Sequence, residues 1–326
     1  MATVNIDGTD WSKISGKVIV ITGGASGIGK AAVEFADECG AKVVFGDVNR
    51  VSGEAIETAS KTRNLTYVFC DVTSWADQRA MFEKAFKLHG KIDVVLANAG
   101  ITELKDIFSD ELEQDGTSLA EPKLPVLDVC LKGLVYTVKL ALHYFRNHPS
   151  GQGFGSLVMT GSAASYLPSA PLWTYSAAKA GVIGLMRALK TQAIIEDSWT
   201  LNTVAPWMTL TNMAKNIEEF WKPLPTNTPL SVAKALLLPA TDKSINGKLL
   251  LVITEKQPET KYILGKGFFV GGNEIVEVED ALDKAQHLWL GEAMSKSVDE
   301  GQVRLGCKDV KPGAKGQALF SKNFGN

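Results

Sequence analysis

Residues 17–29 read Lys17-Val18-Ile19-Val20-Ile21-Thr22-Gly23-Gly24-Ala25-Ser26-Gly27-Ile28-Gly29. The run before the glycines is short, mostly apolar and β-branched, which is typical of a buried parallel strand. A helical pattern follows the glycines and stops at Gly40, and a second apolar strand then ends at Asp47. Strand, glycine turn, helix, strand and acid together predict a βαβ unit that binds a dinucleotide.

The glycine turn and the acid each have a physical use in such a site. Glycines allow positive φ and the close approach of a pyrophosphate, and the helix that follows offers free N–H groups and a positive dipole end. A carboxylate at Asp47 can accept both ribose hydroxyls and would repel a 2′-phosphate. The pattern therefore favours NAD over NADP, and the alternatives are a plain tight turn and a solvent-facing strand end.

A second chemical pattern is Tyr175-Ser176-Ala177-Ala178-Lys179, with Ser162 upstream of it. On a helix, Tyr175 and Lys179 lie one turn apart on the same face. A free phenol has a pKa of about 10, and a nearby ammonium favours its ionised form. A serine hydroxyl beside the phenol can hold a carbonyl or alcohol oxygen, which gives a proton relay without metal or histidine. The alternative for the pair alone is a solvated helix face.

Strand and helix patterns continue to alternate along the chain. Seven strands joined by crossover helices predict an α/β fold, a single Rossmann-type, doubly wound parallel sheet in a three-layer α/β/α sandwich. The predicted domain covers 1–255, with a loose leader at 1–16 and a proline-containing substrate lid at about 207–230. Residues 256–326 form a C-terminal extension, with a helix at 277–297 and a Gly- and Lys-rich tail, packed on the domain or on a neighbouring subunit. The other predicted strands are 65–70, 92–96, 156–160, 199–204 and 249–252, and the other long helices are 74–89, 126–146 and 174–195.

Composition excludes several classes of function. The chain has 326 residues, 45% of them hydrophobic, and a formal net charge of −2, which gives no electrostatic case for nucleic-acid binding. Its four cysteines, Cys39, Cys70, Cys130 and Cys307, are far apart, which argues against metal binding and disulfides. With no secretory signal and no membrane-spanning apolar run, we expect a cytoplasmic protein with neither metal nor membrane partner.

Several motifs together resemble the classical short-chain dehydrogenase/reductases over roughly 13–255. They are Thr22-Gly23-x-x-x-Gly27-x-Gly29, Asp71-Val72, Asn98-Ala99-Gly100, Ser162, Tyr175-x-x-x-Lys179 and Asn202-x-Val204-x-Pro206. The N-terminal third is similar to the NAD-dependent hydroxyprostaglandin-dehydrogenase-like members. The resemblance implies hydride transfer between a nicotinamide cofactor and a secondary alcohol or ketone, and association as a homodimer or homotetramer through the two long helices 126–146 and 174–195.

The resemblance also implies residue roles. Tyr175 is the general acid/base, Lys179 lowers its pKa and holds the nicotinamide ribose, and Ser162 orients the substrate oxygen. The expected cofactor-binding residues are Gly23, Ser26, Gly27, Ile28, Gly29, Asp47, Asp71, Val72, Asn98, Gly100, Tyr175, Lys179, Pro206 and Thr211. Aromatic and apolar residues of the loops predict a pocket for a fairly large apolar substrate, of the secondary-metabolite or lipid-like kind. Its predicted lining is Ser162, Tyr166, Trp173, Trp207 and Met208.

Two positions depart from the family pattern. Cys130 stands where the family has a catalytic asparagine, and a thiol is not expected to supply the donor and acceptor pair of an amide. Trp207 replaces the glycine expected after Pro206, and it either shapes the pocket or packs beneath the lid. These departures leave two further possibilities open: a non-redox isomerase or cyclase on the same scaffold, and a nucleotide-binding protein without turnover. For Asn98 and Asp71, the alternatives to cofactor contact are pinning a turn and capping a helix.

Overall fold

The structure is a computed structural model of the whole chain. It describes residues 3–4, 6, 8–103, 105–148, 154–166, 169, 172–214, 226–252, 262–264, 268–270 and 275–277. The middle of the predicted lid, the predicted helix after residue 277 and the Gly- and Lys-rich tail lie outside the described residues.

A parallel sheet forms the centre of the molecule, and the predicted seven parallel strands are confirmed. Their spatial order is β4-β3-β2-β5-β6-β7-β8, which reverses between β2 and β5 and so creates the switch point where such sheets bind ligands. In chain order the strands are β1 (Thr3–Val4), β2 (Val18–Thr22), β3 (Lys42–Asp47), β4 (Leu65–Phe69), β5 (Val94–Ala97), β6 (Gly155–Thr160), β7 (Trp199–Pro206), β8 (Leu249–Val252), β9 (Tyr262–Leu264), β10 (Phe268–Val270) and β11 (Ile275–Glu277).

The ends of the chain contribute structure that the sequence did not predict. From the predicted extension, β11 pairs antiparallel with β8, and β1 pairs antiparallel with β11. The expectation of a loose leader at 1–16 is wrong for much of that segment. Asp10 caps a 3₁₀ turn at Trp11–Ile14, and Ile14 is fully buried. A two-residue strand and a single helical turn are too short to produce a periodic pattern.

Helices cover both faces of the sheet. Alternate residues of each central strand point to opposite faces, so Val20 packs in one core and Ile19 and Ile21 in the other. The first core includes residues of α3, α5 and α6, and the second includes residues of α1, α2 and α7. The helices are α1 (Gly27–Glu38), α2 (Arg50–Ala59), α3 (Trp75–His89), α4 (Pro125–Leu127), α5 (Leu134–Arg146), α6 (Trp173–Glu196) and α7 (Pro229–Leu237).

The predicted helix at 126–146 is not continuous. A π-helical turn, Asp128–Gly133, joins α4 to α5, and it contains Cys130. Such turns insert an extra residue into a helix and are frequent at functional sites. In the described part of the chain, no helix is both long and apolar enough to cross a membrane.

One buried polar side chain ties α3 to this π-helical turn. Gln78 is fully buried, and its Nε2 donates to the carbonyl oxygens of Val72 at 2.6 Å and Gly133 at 2.8 Å. Its Oε1 accepts from the hydroxyl of Thr137 at 2.7 Å. The amide therefore has partners for both of its ends, as a buried amide requires.

We predict that Gln78→Leu lowers the free energy of unfolding by about 2 kcal/mol or more, because it removes a donor from buried carbonyls of Val72 and Gly133. Urea denaturation measures this change. Gln114 is exposed, so Gln114→Leu is the matched control and should stay within about 0.5 kcal/mol of wild type. Equal stabilities of the two variants would contradict the role of Gln78.

Candidate active site

The glycine turn is shaped to receive an anion. Gly23 and Gly27 have φ of +69° and +50°, which favours glycine. A Cβ placed on Gly29 would lie 1.9 Å from the carbonyl oxygen of Gly23, so no side chain fits there. Ser26, at the start of α1, makes no side-chain cap, which leaves the positive end of that helix available to a phosphate. The turn therefore fits a dinucleotide.

Asp47 lies at the rim of this turn. Its Oδ2 accepts from the backbone N–H of Ala25 at 3.0 Å, and its Oδ1 accepts from the N–H of Asn49 at 2.9 Å. Tyr67 donates its hydroxyl to the backbone oxygen of Asp47 at 2.8 Å, and burial raises the pKa of that phenol. The carboxylate is thus fixed beside the turn at the end of β3, which is the position expected for a ribose acceptor.

Asp71 and Val72 follow β4, the strand next to β3. The Oδ1 of Asp71 accepts from both the backbone N–H and the hydroxyl of Thr73, each at 2.8 Å, so this carboxylate organises its own turn. Val72 is buried, and Gln78 holds its carbonyl oxygen. Their contact with an adenine stays a prediction.

Asn98 connects three strand ends. Its Nδ2 donates to the carbonyl oxygens of Thr22 at 3.2 Å and Gly23 at 3.3 Å. Its Oδ1 accepts from the hydroxyl of Thr160 at 3.3 Å. Its amide thus pins the glycine turn to β5 and β6, which is the structural alternative weighed for it above. This contact also places the loop after β5 directly beside the dinucleotide turn.

Lys179 and Tyr175 come together at the end of β6. The Lys179 side chain is only 2% exposed, and its Nζ donates to the carbonyl oxygen of Thr160 at 2.8 Å. The same Nζ lies 5.6 Å from the ring centroid of Tyr175. A Cβ built on Gly100 would lie 3.6 Å from this Nζ, so the loop after β5 closes over the cation. The structure therefore gathers Tyr175, Lys179 and Gly100 at one place.

Ser162 follows β6 in extended conformation and begins a 3₁₀ turn, Ala163–Ser165, that packs against α6. Its Oγ accepts from the N–H of Ala164 at 3.2 Å, which fixes the hydroxyl as the cap of that turn. Tyr166 ends the turn and is 37% exposed. Ser162 thus lies on the element that borders the helix of Tyr175, and its role toward a substrate stays a prediction.

Cys130 requires a correction of the sequence-based argument. The expectation that a cysteine cannot supply a donor and acceptor pair is wrong here. Its Sγ accepts from the N–H of Ile101 at 3.3 Å and donates to the carbonyl oxygen of the same residue at 3.2 Å. Cys130 is fully buried in a small apolar cluster against which Ile101 and Tyr175 pack. The thiol therefore braces the loop after β5, although sulfur forms weaker hydrogen bonds than an amide.

Two predicted cofactor residues, Pro206 and Thr211, lie at the end of β7 and in the segment that follows it. Pro206 is the last residue of β7. Thr211 is close to Gly27, because a Cβ on that glycine would lie 3.2 Å from the Thr211 methyl group. An open cleft of about 440 Å³ runs between α1 and this segment, and Tyr175 is not among its lining residues. Its lining is Gly27, Lys30, Ala31, Glu34, Leu210, Thr211, Asn212 and Pro229.

The predicted substrate residues have different environments. Trp207 is half-buried against the first core, and its backbone N–H donates to the Val252 carbonyl oxygen at 2.8 Å. The carbonyl oxygen of Met208 accepts from the backbone N–H of Asn227 at 2.7 Å.

Trp173, the first residue of α6, is 40% exposed and meets Phe108 edge-on at 6.1 Å between ring centroids. Phe108 was not predicted from the sequence, because its segment has no periodicity.

A second residue missed by the sequence analysis is Glu103. Its Oε1 accepts from both the backbone N–H and the hydroxyl of Thr174, the latter at 2.7 Å, and its Oε2 accepts from the N–H of Tyr175 at 3.4 Å. Leu172, the N-cap residue of α6, has no side-chain cap to offer. An acid in an irregular loop gives no sequence signal that its partners lie about 70 residues later in the chain.

Within the described residues, no group of three His, Cys, Asp or Glu side chains is placed to hold a metal ion. Burial, assisted by the charges of Asp77, Asp71 and Asp47, raises the pKa of the Cys70 thiol to about 12, which disfavours the reactive thiolate.

Comparison with known proteins agrees with this geometry. The family model described as short chain dehydrogenase matches residues 17–221. Short-chain dehydrogenase/reductase prx4 of Penicillium roqueforti is 35% identical over 297 residues, which cover 89% of this chain and 85% of that protein. The 5'-hydroxyaverantin dehydrogenase of Dothistroma septosporum is 30% identical, over 78% of this chain and 89% of that protein.

A solved structure gives the same fold. The 3-ketoacyl-(acyl-carrier-protein) reductase from Brucella melitensis, in complex with NADH, superposes with a TM-score of 0.65 at 22% identity. The match covers 73% of this chain and 97% of that protein. The resemblance drawn from the motifs is thus confirmed: this chain belongs to the short-chain dehydrogenase/reductase family of oxidoreductases.

Proposed function

We propose that this protein is an NAD-dependent alcohol dehydrogenase or ketoreductase that interconverts a secondary alcohol and a ketone on a fairly large apolar substrate. One observation carries the proposal. A continuous series of hydrogen bonds runs from the carbonyl of Gly23 through Asn98 and Thr160 to the buried ammonium of Lys179, which lies beside Tyr175. This connection between the glycine turn and the Tyr175/Lys179 pair supports a single site in which both act on the same bound molecules.

The glycine turn and the start of α1 would hold the pyrophosphate, and Asp47 would hold the adenosine ribose. When bound, the nicotinamide ring accepts or supplies a hydride. The phenolic oxygen of Tyr175 exchanges a proton with the substrate oxygen. Ser162 would orient the substrate oxygen by a hydrogen bond from its hydroxyl, while its Oγ still accepts the N–H of Ala164.

Two observations support the finer parts of the proposal. The carboxylate of Asp47, fixed at the rim of the turn, favours NAD over NADP because it would repel a 2′-phosphate. The partly exposed rings of Tyr166 and Trp173, with Phe108 against the latter, favour a large apolar substrate. The relative named 5'-hydroxyaverantin dehydrogenase, by its name, oxidises a hydroxylated secondary metabolite, and we propose a substrate of that kind here.

We predict that Tyr175→Phe lowers kcat by about 100-fold or more, because it removes the group that transfers the proton. Its affinity for NAD should change little, since the ring stays in place. Absorbance of the reduced nicotinamide with a panel of bulky secondary alcohols and ketones measures turnover, and calorimetry measures NAD binding. Tyr144→Phe is the control, because it removes a phenol that lies on α5 against Phe82. Wild-type turnover by Tyr175→Phe would refute the relay.

We predict that Asp47→Ala lowers the ratio of kcat/KM with NAD to kcat/KM with NADP by about tenfold or more, equivalent to about 1.4 kcal/mol. The reason is loss of both the ribose acceptor and the repulsion of a 2′-phosphate. Steady-state kinetics with each cofactor measures the ratio. Asp242→Ala is the control, since Asp242 accepts a backbone N–H from Ser244 in an exposed turn. A wild-type enzyme that already prefers NADP would contradict this assignment.

We predict that Cys130→Asn leaves kcat within about threefold of wild type, less than about 1 kcal/mol on the barrier. The thiol already makes both hydrogen bonds to Ile101 that an amide at this position could make. Turnover and the thermal midpoint are measured together, because asparagine is larger than cysteine. A tenfold rise in kcat would show instead that the missing amide limits the rate.

A further inference from the structure

Glu103 lies in the loop that leaves β5 and contacts the first turn of the helix carrying Tyr175. We propose that Glu103 is a positioning residue for this reaction, which holds the start of α6 so that the phenol of Tyr175 faces the cofactor; the inference rests on the function proposed above. The carboxylate receives the N–H groups of both Thr174 and Tyr175, and the Thr174 hydroxyl at 2.7 Å.

The first turn of a helix needs such a partner. Its N–H groups have no acceptor within the helix, and its dipole favours a negative charge at this end. Leu172, the residue before the helix, cannot supply an acceptor from its side chain. Glu103 does so from another part of the chain, and it is half-buried, so water competes less for the carboxylate.

The loop that carries Glu103 is itself fixed at two other points. At its start, Asn98 is bonded to the glycine turn and to Thr160. In its middle, Ile101 is bonded through both backbone groups to Cys130. Glu103 thus ends a short segment that is held in place from Asn98 onward, and Asn98 is bonded to the glycine turn. It sets the position of Tyr175 relative to that turn.

The effect of Glu103 should be confined to the first turn of α6. The helix has 24 residues, and its interior positions such as Val182 and Met186 are fully buried in the first core. Loss of one cap therefore leaves the helix folded and frees only its beginning. Tyr175 is the third residue of that helix, so it lies in the part that is freed.

The test compares Glu103→Ala with Glu103→Gln. We expect Glu103→Ala to lower kcat by about tenfold to 100-fold, which is the order of loss caused by a small displacement of a catalytic group. KM and the dissociation constant for NAD should stay unchanged, because Asn98 and Cys130 still hold the cofactor side of the loop. Glu103→Gln keeps a carbonyl oxygen for both Thr174 contacts, so its kcat should return to within about threefold of wild type.

Hydrogen exchange gives a readout that needs no substrate. The amides of Thr174 and Tyr175 should exchange at least about tenfold faster in Glu103→Ala than in wild type, and those of the helix interior should not change. Asp10→Ala is the matched control, because Asp10 also accepts a backbone N–H and a hydroxyl, from Ser12, but at the start of the 3₁₀ turn that precedes β2. This variant should keep wild-type kcat at a similar thermal midpoint.

The outcomes separate this inference from the proposed function. If wild type transfers no hydride with any alcohol or ketone, the proposed function fails, and hydrogen exchange still reports on the contact. If wild type turns over and Glu103→Ala has the same kcat, the positioning role is overturned. The positioning role is also overturned if Glu103→Ala loses no more kcat than Asp10→Ala does, or if Glu103→Gln does not recover the kcat that Glu103→Ala loses.

Discussion

The buried ammonium of Lys179 bonds to one peptide carbonyl, that of Thr160, and the organisation of the site depends on this contact. An ammonium removed from water needs strong partners, since desolvation of a charge is costly. Thr160 is the last residue of β6, so the cation is anchored to the centre of the sheet instead of to a flexible loop. Tyr175 lies one helical turn before Lys179 on the same helix, so the bond between Lys179 and Thr160 also fixes the position of Tyr175 relative to the sheet.

Thr160 also joins this cation to the glycine turn. Its hydroxyl donates to Asn98, whose amide reaches the carbonyl oxygens of Thr22 and Gly23. Where parallel strands end, backbone groups lose their ladder partners and must find others. Here the side chains at the ends of β2, β5 and β6 satisfy those groups and one another. The strand ends at this rim are consequently joined to one another by side-chain hydrogen bonds.

The parts of the molecule that could be predicted from the sequence are those determined by neighbouring residues in the chain. Apolar runs predicted the seven parallel strands. Asp47, Asn98 and Ser162 were predicted to lie at one edge of the sheet, because each stands at the carboxyl end of a strand. The antiparallel strands β1 and β11 are too short to show a pattern, and a π-helical turn has almost the same periodicity as an α-helix. Gln78 and Glu103 were missed because their partners are far away in sequence and only the folded chain brings them together.

At Cys130, a residue of a different type from the one expected still holds the loop after β5. Judged by chemistry alone, replacing an amide by a thiol removes strong hydrogen bonds. In the folded chain, the π-helical turn places this position directly against the backbone of Ile101, and the thiol donates and accepts there. Asn98 and Glu103 hold the two ends of the same loop. The contact between Cys130 and Ile101, in the middle of the loop, therefore shares with them the task of fixing it. At this position the thiol therefore holds the backbone of Ile101 by a donor and an acceptor, although each sulfur bond is weaker than that of an amide.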